Sequence, residues 1–148
     1  MRCENFEIVL VEGNSNSWDS GSATFASVFC EDDKICLFYT GWKKPLAYGS
    51  SPSSIGLAIS YDAKTFEKKK EPLLNKPTEG SFSRSILTPI VFKHLDSYIM
   101  FFAGTSTQSP EFRTIGIAKS TRFDKDWKIA KEIKKPQKSW ESIAIDLG

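Results

Sequence analysis

Apolar residues in this chain come in short runs that are rich in Val, Ile, Phe and Tyr. Gly, Ser, Asp and Pro bound these runs and helical periodicity is almost absent, so the pattern indicates β-strands. Two of the runs, Ile35 to Tyr39 and Tyr98 to Phe102, are apolar at every position. A strand with one face in water would alternate, so we expect these two strands to be buried on both faces.

The strand pattern occurs twice. The offset is 63 residues between Phe29 and Phe92, and 60 residues between Gly56 and Gly116. Each repeat predicts four strands, at about 22–29, 34–40, 54–60 and 65–71 in the first repeat and about 85–92, 97–103, 114–120 and 127–133 in the second. The fourth strand is the most polar in both repeats, and the run Lys68-Lys69-Lys70 is expected to form a solvated outer edge.

A repeat of this length, built of four short strands, is typical of a β-propeller blade. The sequence therefore predicts an all-β fold in a single domain over residues 1–148, with two complete four-stranded antiparallel blades. Repeat 1 spans about 17–71, repeat 2 spans about 81–133, and a third repeat starts at 139–148. Single strands are expected on either side, at 6–11 from a preceding blade and at 142–147 from a following one.

Two blades cannot close a ring, and each outward face would be apolar. Either the chain is part of a longer protein, or copies of it associate to cover these faces. We expect a homo-oligomer that completes a propeller-like ring, with a dimer favoured.

Composition and charge exclude several classes of partner. The chain has 148 residues, and its net charge of +2 is too small to favour nucleic acid. No apolar stretch approaches the roughly 20 residues that span a bilayer, so we expect no membrane partner and a cytoplasmic location. One histidine and three cysteines without a CxxC spacing form no zinc signature, so we expect neither a metal nor another cofactor.

Three pairs of segments carry a resemblance to a known family. They are Phe25-Ala26-Ser27-Val28-Phe29 with Thr88-Pro89-Ile90-Val91-Phe92, Phe38-Tyr39-Thr40-Gly41 with Phe101-Phe102-Ala103-Gly104, and Ile55-Gly56-Leu57-Ala58-Ile59-Ser60 with Ile115-Gly116-Ile117-Ala118-Lys119-Ser120. Over residues 17 to 142 the chain resembles the five-bladed β-propeller glycoside hydrolases of the family 43, 32, 68 and 130 type. The resemblance implies a glycoside hydrolase-like protein that acts on or binds a carbohydrate ligand.

The same resemblance implies carboxylates near the starts of the inner strands, facing a central funnel. The corresponding positions in this chain are Asp19, Ser83 and Glu141. Hydrolysis of a glycosidic bond needs two carboxyl groups, so Asp19, as base or nucleophile, and Glu141, as acid, are the candidate catalytic pair. Asp146, on the last predicted strand, is a further candidate for the substrate site. Ser83 departs from the family 43 pattern, in which a supporting aspartate is expected.

Large aromatic residues recur at equivalent positions, at Trp18, Phe82 and Trp140. Each is either a wedge between blades or a platform for a sugar ring. Trp42 has no counterpart in the second repeat, and we expect it to lie on a loop where it can stack on a pyranose. Arg84 is either a surface residue or a partner for an anionic sugar or a phosphate.

Three functions stay open at this point. The first is a carbohydrate-active enzyme whose funnel is completed by oligomerisation. The second is a non-catalytic module that binds a glycan or a sugar nucleotide. The third is a truncated scaffold without activity; the serine at position 83 favours the second and third over the first.

Overall fold

The structure is a computed structural model that describes residues 7–44 and 52–134. Two antiparallel four-stranded sheets account for all strands in these residues, and no helix occurs among them, hence none that is long and apolar enough to cross a membrane. Blade 1 consists of β1 (Ser22–Glu31), β2 (Lys34–Trp42), β3 (Ser53–Ser60) and β4 (Glu67–Lys68). Blade 2 consists of β5 (Ser85–His94), β6 (Ser97–Thr105), β7 (Arg113–Ser120) and β8 (Lys128–Lys134). In each blade the strands are paired in chain order.

This arrangement confirms the prediction of an all-β fold with two four-stranded blades. The one strand that differs markedly is β4, which covers two residues where seven were expected. Its ladder to β3 ends at Lys69, whose N–H donates to the carbonyl of Leu57. The chain regains contact with β3 afterwards, where the N–H groups of Leu73 and Leu74 both donate to the carbonyl of Ile55.

The strand expected at 6–11 is not formed in its described part, because residues 7–14 belong to no strand or helix. A strand needs a hydrogen-bonded neighbour, and the blade that this one was expected to join is not among the described residues. Leu10 instead packs against the apolar surface of blade 1. The expected third repeat, including the strand at 142–147, lies outside the described residues.

The repeat is also visible in the backbone φ angles. In the part of the chain that the structure describes, six residues other than glycine have positive φ. They form three pairs that are each 63 residues apart: Phe25 with Thr88, Asp32 with Leu95, and Ala63 with Asp126. The first pair lies in the irregularities that interrupt the β1–β2 and β5–β6 ladders. Positive φ is unusual for a β-branched residue such as Thr88, so the shared bulge is imposed by the blade and not by local preference.

Each blade has two apolar faces, which we name by their place along the chain. Residues that are directly paired across strands share a face. The preceding face carries Leu37, Tyr39 and Ala58 in blade 1 and Met100, Phe102 and Ala118 in blade 2. The following face carries Cys36, Phe38 and Leu57 in blade 1 and Ile99, Phe101 and Ile117 in blade 2.

The main core lies between the following face of blade 1 and the preceding face of blade 2. Phe38 meets Trp127 edge to face, with ring centroids 6.2 Å apart. At one end of the interface the N–H of Thr88 donates to Oγ1 of Thr40 at 3.0 Å. At the other end Glu31 accepts hydrogen bonds from Lys93 and Tyr98, both at 2.7 Å. The two blades are therefore joined along the whole length of their inner strands.

Candidate functional site at the start of the inner strands

The candidate residues Asp19, Trp42 and Arg84 lie at one end of the two blades. Asp19 precedes β1, Trp42 ends β2, and Arg84 precedes β5. Ser22 pairs with Trp42 and Ser85 pairs with Thr105, so the starts of the inner strands and the ends of the second strands form one edge. This edge corresponds to the position where the sequence predicts a funnel mouth.

Asp19 is 2% exposed and is held by two donors. Its Oδ2 accepts a hydrogen bond of 3.0 Å from the hydroxyl of Tyr39 and one of 2.6 Å from Nζ of Lys68. Lys68 also donates to the carbonyl of Val11 at 2.9 Å and lies 5.9 Å from the centre of the Tyr39 ring. The carboxylate is thus neutralised locally, which is what a buried charge requires.

The hydroxyl of Tyr39 stays protonated in this setting. Burial raises the pKa of Tyr39 far above its usual value, and the charge of Asp19 and its hydrogen bond add to the rise. Tyr39 therefore acts as a permanent donor to Asp19. The arrangement is typical of a structural acceptor, and the role of Asp19 as a base or nucleophile stays a prediction.

Lys68 was expected in the solvated outer edge, and the structure corrects that expectation. Only 23% of its side chain is exposed, and its ammonium group reaches inward across the blade to Asp19. The pairing of Lys68 with Ala58 places it on the preceding face, whose centre is apolar. The aliphatic stem covers this surface, and the ammonium group pairs with Asp19, the one buried carboxylate in residues 7–44 and 52–134.

The structure also corrects the alignment of the two corners, by which we mean the turns at 17–21 and 80–84 that lead into β1 and β5. Ser20 N donates to Ser17 O, and Ser83 N donates to Gly80 O in the same way. The next residues repeat the match, since Gly21 N donates to Trp42 O at 2.8 Å and Arg84 N to Thr105 O at 3.0 Å. By backbone position, Ser83 is therefore the counterpart of Ser20 and Phe82 that of Asp19. The ring of Phe82 nevertheless fills the space that the Trp18 ring fills in blade 1. The sequence alignment was displaced by one residue at this point.

Trp18 packs within blade 1. Its ring is stacked on Tyr39, with centroids 5.8 Å apart and an angle of 20° between the planes. A Cβ added at Gly41 would lie 2.5 Å from the Trp18 ring, and one at Gly56 would lie 2.8 Å from it. Phe82 has the same surroundings in blade 2, next to Phe102, Gly104 and Gly116. Glycine in both blades thus makes room for one aromatic ring at the corner.

Trp42 and Arg84 are half-buried at the same edge. Ser83, next to Arg84 in the chain, is 3% exposed, and its Oγ accepts from the N–H of Thr107 at 3.1 Å and lies 3.2 Å from the Thr107 hydroxyl. A Cβ at Gly21 would come within 2.8 Å of Trp42, so the indole lies tightly over the corner of blade 1. The sequence placed Trp42 on a loop, whereas it is the last residue of β2.

Phe25 is a residue of this region that the sequence did not single out as a binding residue. It lies on the inner strand β1, has a φ of 49° and is 42% exposed. Its exposure could not be predicted from the sequence, because an aromatic residue in an apolar run is expected to lie in the core. Only the bulge in the β1–β2 ladder turns it outward.

Glu141, Trp140 and Asp146 lie outside the described residues. The second carboxylate of the expected catalytic pair is therefore not placed relative to Asp19. Within residues 7–44 and 52–134, no cluster of three or more His, Cys, Asp or Glu side chains is suited to a metal ion.

No protein-family profile matches the chain. No curated protein matches it in sequence either. Solved structures do match. One, from the GH130 family of mannoside phosphorylases, which contains glycoside hydrolases that target β-1,2-mannosidic linkages in Candida mannan, superposes with a TM-score of 0.72 at 18% identity, over 90% of this chain and 40% of the other.

Two further structures belong to other glycoside hydrolase families. A family 117 glycoside hydrolase from Zobellia galactanivorans matches with a TM-score of 0.67 at 16% identity, over 84% of this chain and 43% of the other. A family 32 β-fructofuranosidase from Bombyx mori matches with a TM-score of 0.62 at 18% identity, over 74% and 23%. All three are of the five-bladed β-propeller type.

The chain has the blade fold of the five-bladed β-propeller glycoside hydrolases. This confirms the resemblance on which the sequence interpretation depended. The chain spans less than half the length of each of these propellers. At such low identity the similarity concerns the fold.

Proposed function

We propose that this chain is a glycoside hydrolase-like, carbohydrate-active protein that binds a glycan at the edge where β1 and β5 start. The observation that carries the proposal is the position of Trp42 and Arg84, on adjacent blades, at the same edge of a glycoside hydrolase-like fold. An indole offers an apolar face to the C–H groups of a pyranose, and a guanidinium offers several donors to hydroxyl or carboxylate oxygens. Exposed Phe25, on the inner strand of blade 1, adds a second aromatic surface.

Binding without hydrolysis is the form that the described residues favour. Asp19 is the one carboxylate at the edge that the sequence assigned to chemistry among these residues, and its Oδ2 is occupied by Lys68 and Tyr39. A base or nucleophile needs a free lone pair directed at the substrate. Only 3% of the Asp19 side chain is exposed, so a substrate does not reach it in this arrangement.

Hydrolysis by Asp19 with Glu141 is the second candidate, because the similar structures include glycoside hydrolases. In this candidate function a second copy of the chain completes the funnel, because two blades alone cannot close a ring. Binding of a sugar nucleotide and a purely structural role are the further alternatives.

The test is a glycan screen on the full chain, followed by titration of each hit in two-dimensional NMR. Replacement of Trp42 or Arg84 by Ala is expected to weaken binding by at least about tenfold, as for a central contact of an interface. Tyr61→Ala is the matched control, since Tyr61 is a 68% exposed aromatic residue directly after β3, at the opposite end of blade 1.

Each outcome separates the candidates. Equal affinity in the Trp42→Ala variant and the Tyr61→Ala control would contradict the proposed site. Turnover of a bound glycan that Asp19→Asn abolishes, while binding persists, would replace simple binding by hydrolysis. If no glycan binds in the screen, a purely structural role would explain the protein better than glycan binding.

A further inference from the structure

The two outward faces of the blade pair leave large apolar side chains exposed. Val28 is 64% exposed, and its pairing with Leu37 places it on the preceding face of blade 1. Ile90 and Phe92, paired with Phe101 and Ile99, lie on the following face of blade 2 and are 42% and 37% exposed. Exposed clusters of this kind mark surfaces that bind a partner.

The chain contains its own example of how these faces pack. Val91, the counterpart of Val28 in blade 2, is only 7% exposed because the following face of blade 1 covers it. Phe29, the counterpart of Phe92, likewise packs against the inter-blade core. Val28 and Phe92 thus each have an apolar counterpart that is covered between the two blades, whereas Ile90 corresponds to Ser27.

The chemistry of the two outward faces matches that of the inner interface. On the following side, Cys36, Phe38 and Leu57 correspond to Ile99, Phe101 and Ile117. On the preceding side, Met100, Phe102 and Ala118 correspond to Leu37, Tyr39 and Ala58. In the single chain these last three are at most 7% exposed, because Leu10, Trp18 and Phe66 pack on them, so Val28 is the exposed part of this face. All twelve positions are apolar or aromatic. The edge-to-face pair of Phe38 with Trp127 also has a counterpart. Phe101 corresponds to Phe38, and Phe66, which packs on the preceding face of blade 1, corresponds to Trp127.

We propose that the following face of blade 2 docks onto the preceding face of blade 1 in a second copy of this chain. The contact is head to tail, and it repeats the packing of blade 1 on blade 2. It gives the expected self-association a defined pair of surfaces. Two different patches meet, so the contact is heterologous.

The segment 7–14 is compatible with this contact. Leu10 packs on the preceding face of blade 1. Leu73, its counterpart at the 63-residue offset of the two corners, packs against the core between the two blades. Leu10 therefore corresponds to a residue of a blade interface, while Val28 on the same face stays 64% exposed.

Two polar links of the inner interface have no counterpart in the contact. The pair of Glu31 with Lys93 corresponds to His94 and Cys30, which cannot form the same ion pair. The Thr88–Thr40 hydrogen bond is also lost, because Thr40 corresponds to Ala103. The contact between copies is therefore weaker than the contact between blades, and we expect association that depends on concentration.

The proposal rests on the proposed function only in that the assembly would complete the glycan-binding edge. Its test uses solution mass without any glycan, so the two proposals fail separately. The full chain, of 16.6 kDa, is measured by size exclusion with light scattering over a range of micromolar concentrations. The expected result is a rise from one to at least two copies.

Two single-face variants distinguish the mode of contact. Phe92→Lys damages the following face, and Val28→Lys damages the preceding face; both side chains are exposed, and circular dichroism checks that each variant is folded. In a head-to-tail contact each variant alone stays monomeric, while an equimolar mixture forms a dimer through the two intact faces. Tyr61→Lys, outside both faces, is the control and should associate like the unchanged chain.

Three results would overturn the proposal. A Val28→Lys variant that dimerises alone would indicate a symmetric contact between two following faces. A mixture of folded variants that stays monomeric would show that the two faces do not meet. An unchanged chain that remains at 16.6 kDa at all concentrations would show that the faces do not bind a second copy.

Discussion

The corners of the two blades solve the same packing problem with different chemistry. Blade 1 fills the preceding face with Asp19, Tyr39 and Lys68, which form a hydrogen-bonded polar trio. Blade 2 has an apolar trio, Phe82, Phe102 and Ile129, at the corresponding positions. The correspondence follows from the pairing of Lys68 with Ala58 and of Ile129 with Ala118, and from the backbone hydrogen bonds of the two corners.

The difference indicates that a blade can be packed with either the polar or the apolar trio, provided that all three members are present. A buried ion pair adds little net stability over an apolar cluster of similar volume, but half of a pair is costly. The residues of the polar trio are therefore coupled, and we expect replacement of any one of them alone to destabilise the fold. The same coupling explains why Asp19, although a carboxylate at a funnel-like edge, is accounted for without catalysis.

The largest expected effect comes from breaking the polar trio. Lys68→Ala leaves Asp19 buried without its counter-charge, so we expect the free energy of unfolding to fall by about 3–5 kcal/mol. Chemical denaturation monitored by tryptophan fluorescence measures the change. Lys70→Ala, two residues away and exposed, is the control and should change stability by less than about 0.5 kcal/mol.

Converting the trio to its apolar form sharpens the comparison. The triple change of Asp19→Leu, Tyr39→Phe and Lys68→Ile is expected to recover most of the stability lost in Lys68→Ala, because no charge or hydroxyl is then left unpaired. Leucine is chosen at position 19 because the Trp18 ring already occupies the space that Phe82 fills in blade 2. A triple variant as unstable as Lys68→Ala would contradict the equivalence of the corners.

A smaller effect, similar in both blades, is expected at the paired glycines. A Cβ at Gly56 would lie 2.4 Å from the Tyr39 ring, and one at Gly116 would lie 2.6 Å from the rings of Phe102 and Phe82. We expect Gly56→Ala and Gly116→Ala each to lower the free energy of unfolding by about 1–3 kcal/mol, the usual cost of overpacking. Urea denaturation of the two variants is the measurement. A neutral effect in only one blade would show that its corner is loosely packed.

The smallest effect concerns the polar link between the blades. The hydrogen bond from Lys93 holds the pKa of Glu31 below its usual value, and that from Tyr98 adds to it. A lowered pKa in the folded state contributes stability that is present above the unfolded pKa and is lost as pH falls through the folded pKa. We expect Glu31→Gln to cost at most about 1 kcal/mol at pH 7, because Lys93 is half exposed.

Thermal unfolding of this variant and of the unchanged chain from pH 7 down to pH 3 checks the sign. The two stability curves should converge as the pH falls below the usual range of a glutamate. A difference that persists unchanged at low pH would mean that the effect of Glu31→Gln comes from packing instead of charge.

Much of the fold could be predicted from the sequence, because strand positions depend on local patterns. The runs at Ile35 to Tyr39 and at Tyr98 to Phe102 became β2 and β6, the central strands of the two blades. The candidate site was less accessible to prediction. The partner of Asp19 is Lys68, 49 residues away, and nothing in the lysine run distinguishes Lys68 from its neighbours. The exposure of Phe25 depends on a bulge in a ladder, which alternation of residue types does not reveal.

By itself, the sequence determined the blade type, the two blades of the described residues and the order of their strands, because hydrophobic runs and turn residues act over a few neighbouring positions. The tertiary structure alone decided which side chains meet at the corners, the one-residue shift that aligns Asp19 with Phe82, and which apolar faces stay exposed. These depend on register between strands, and a register is chosen by the packing of the whole sheet against its neighbour.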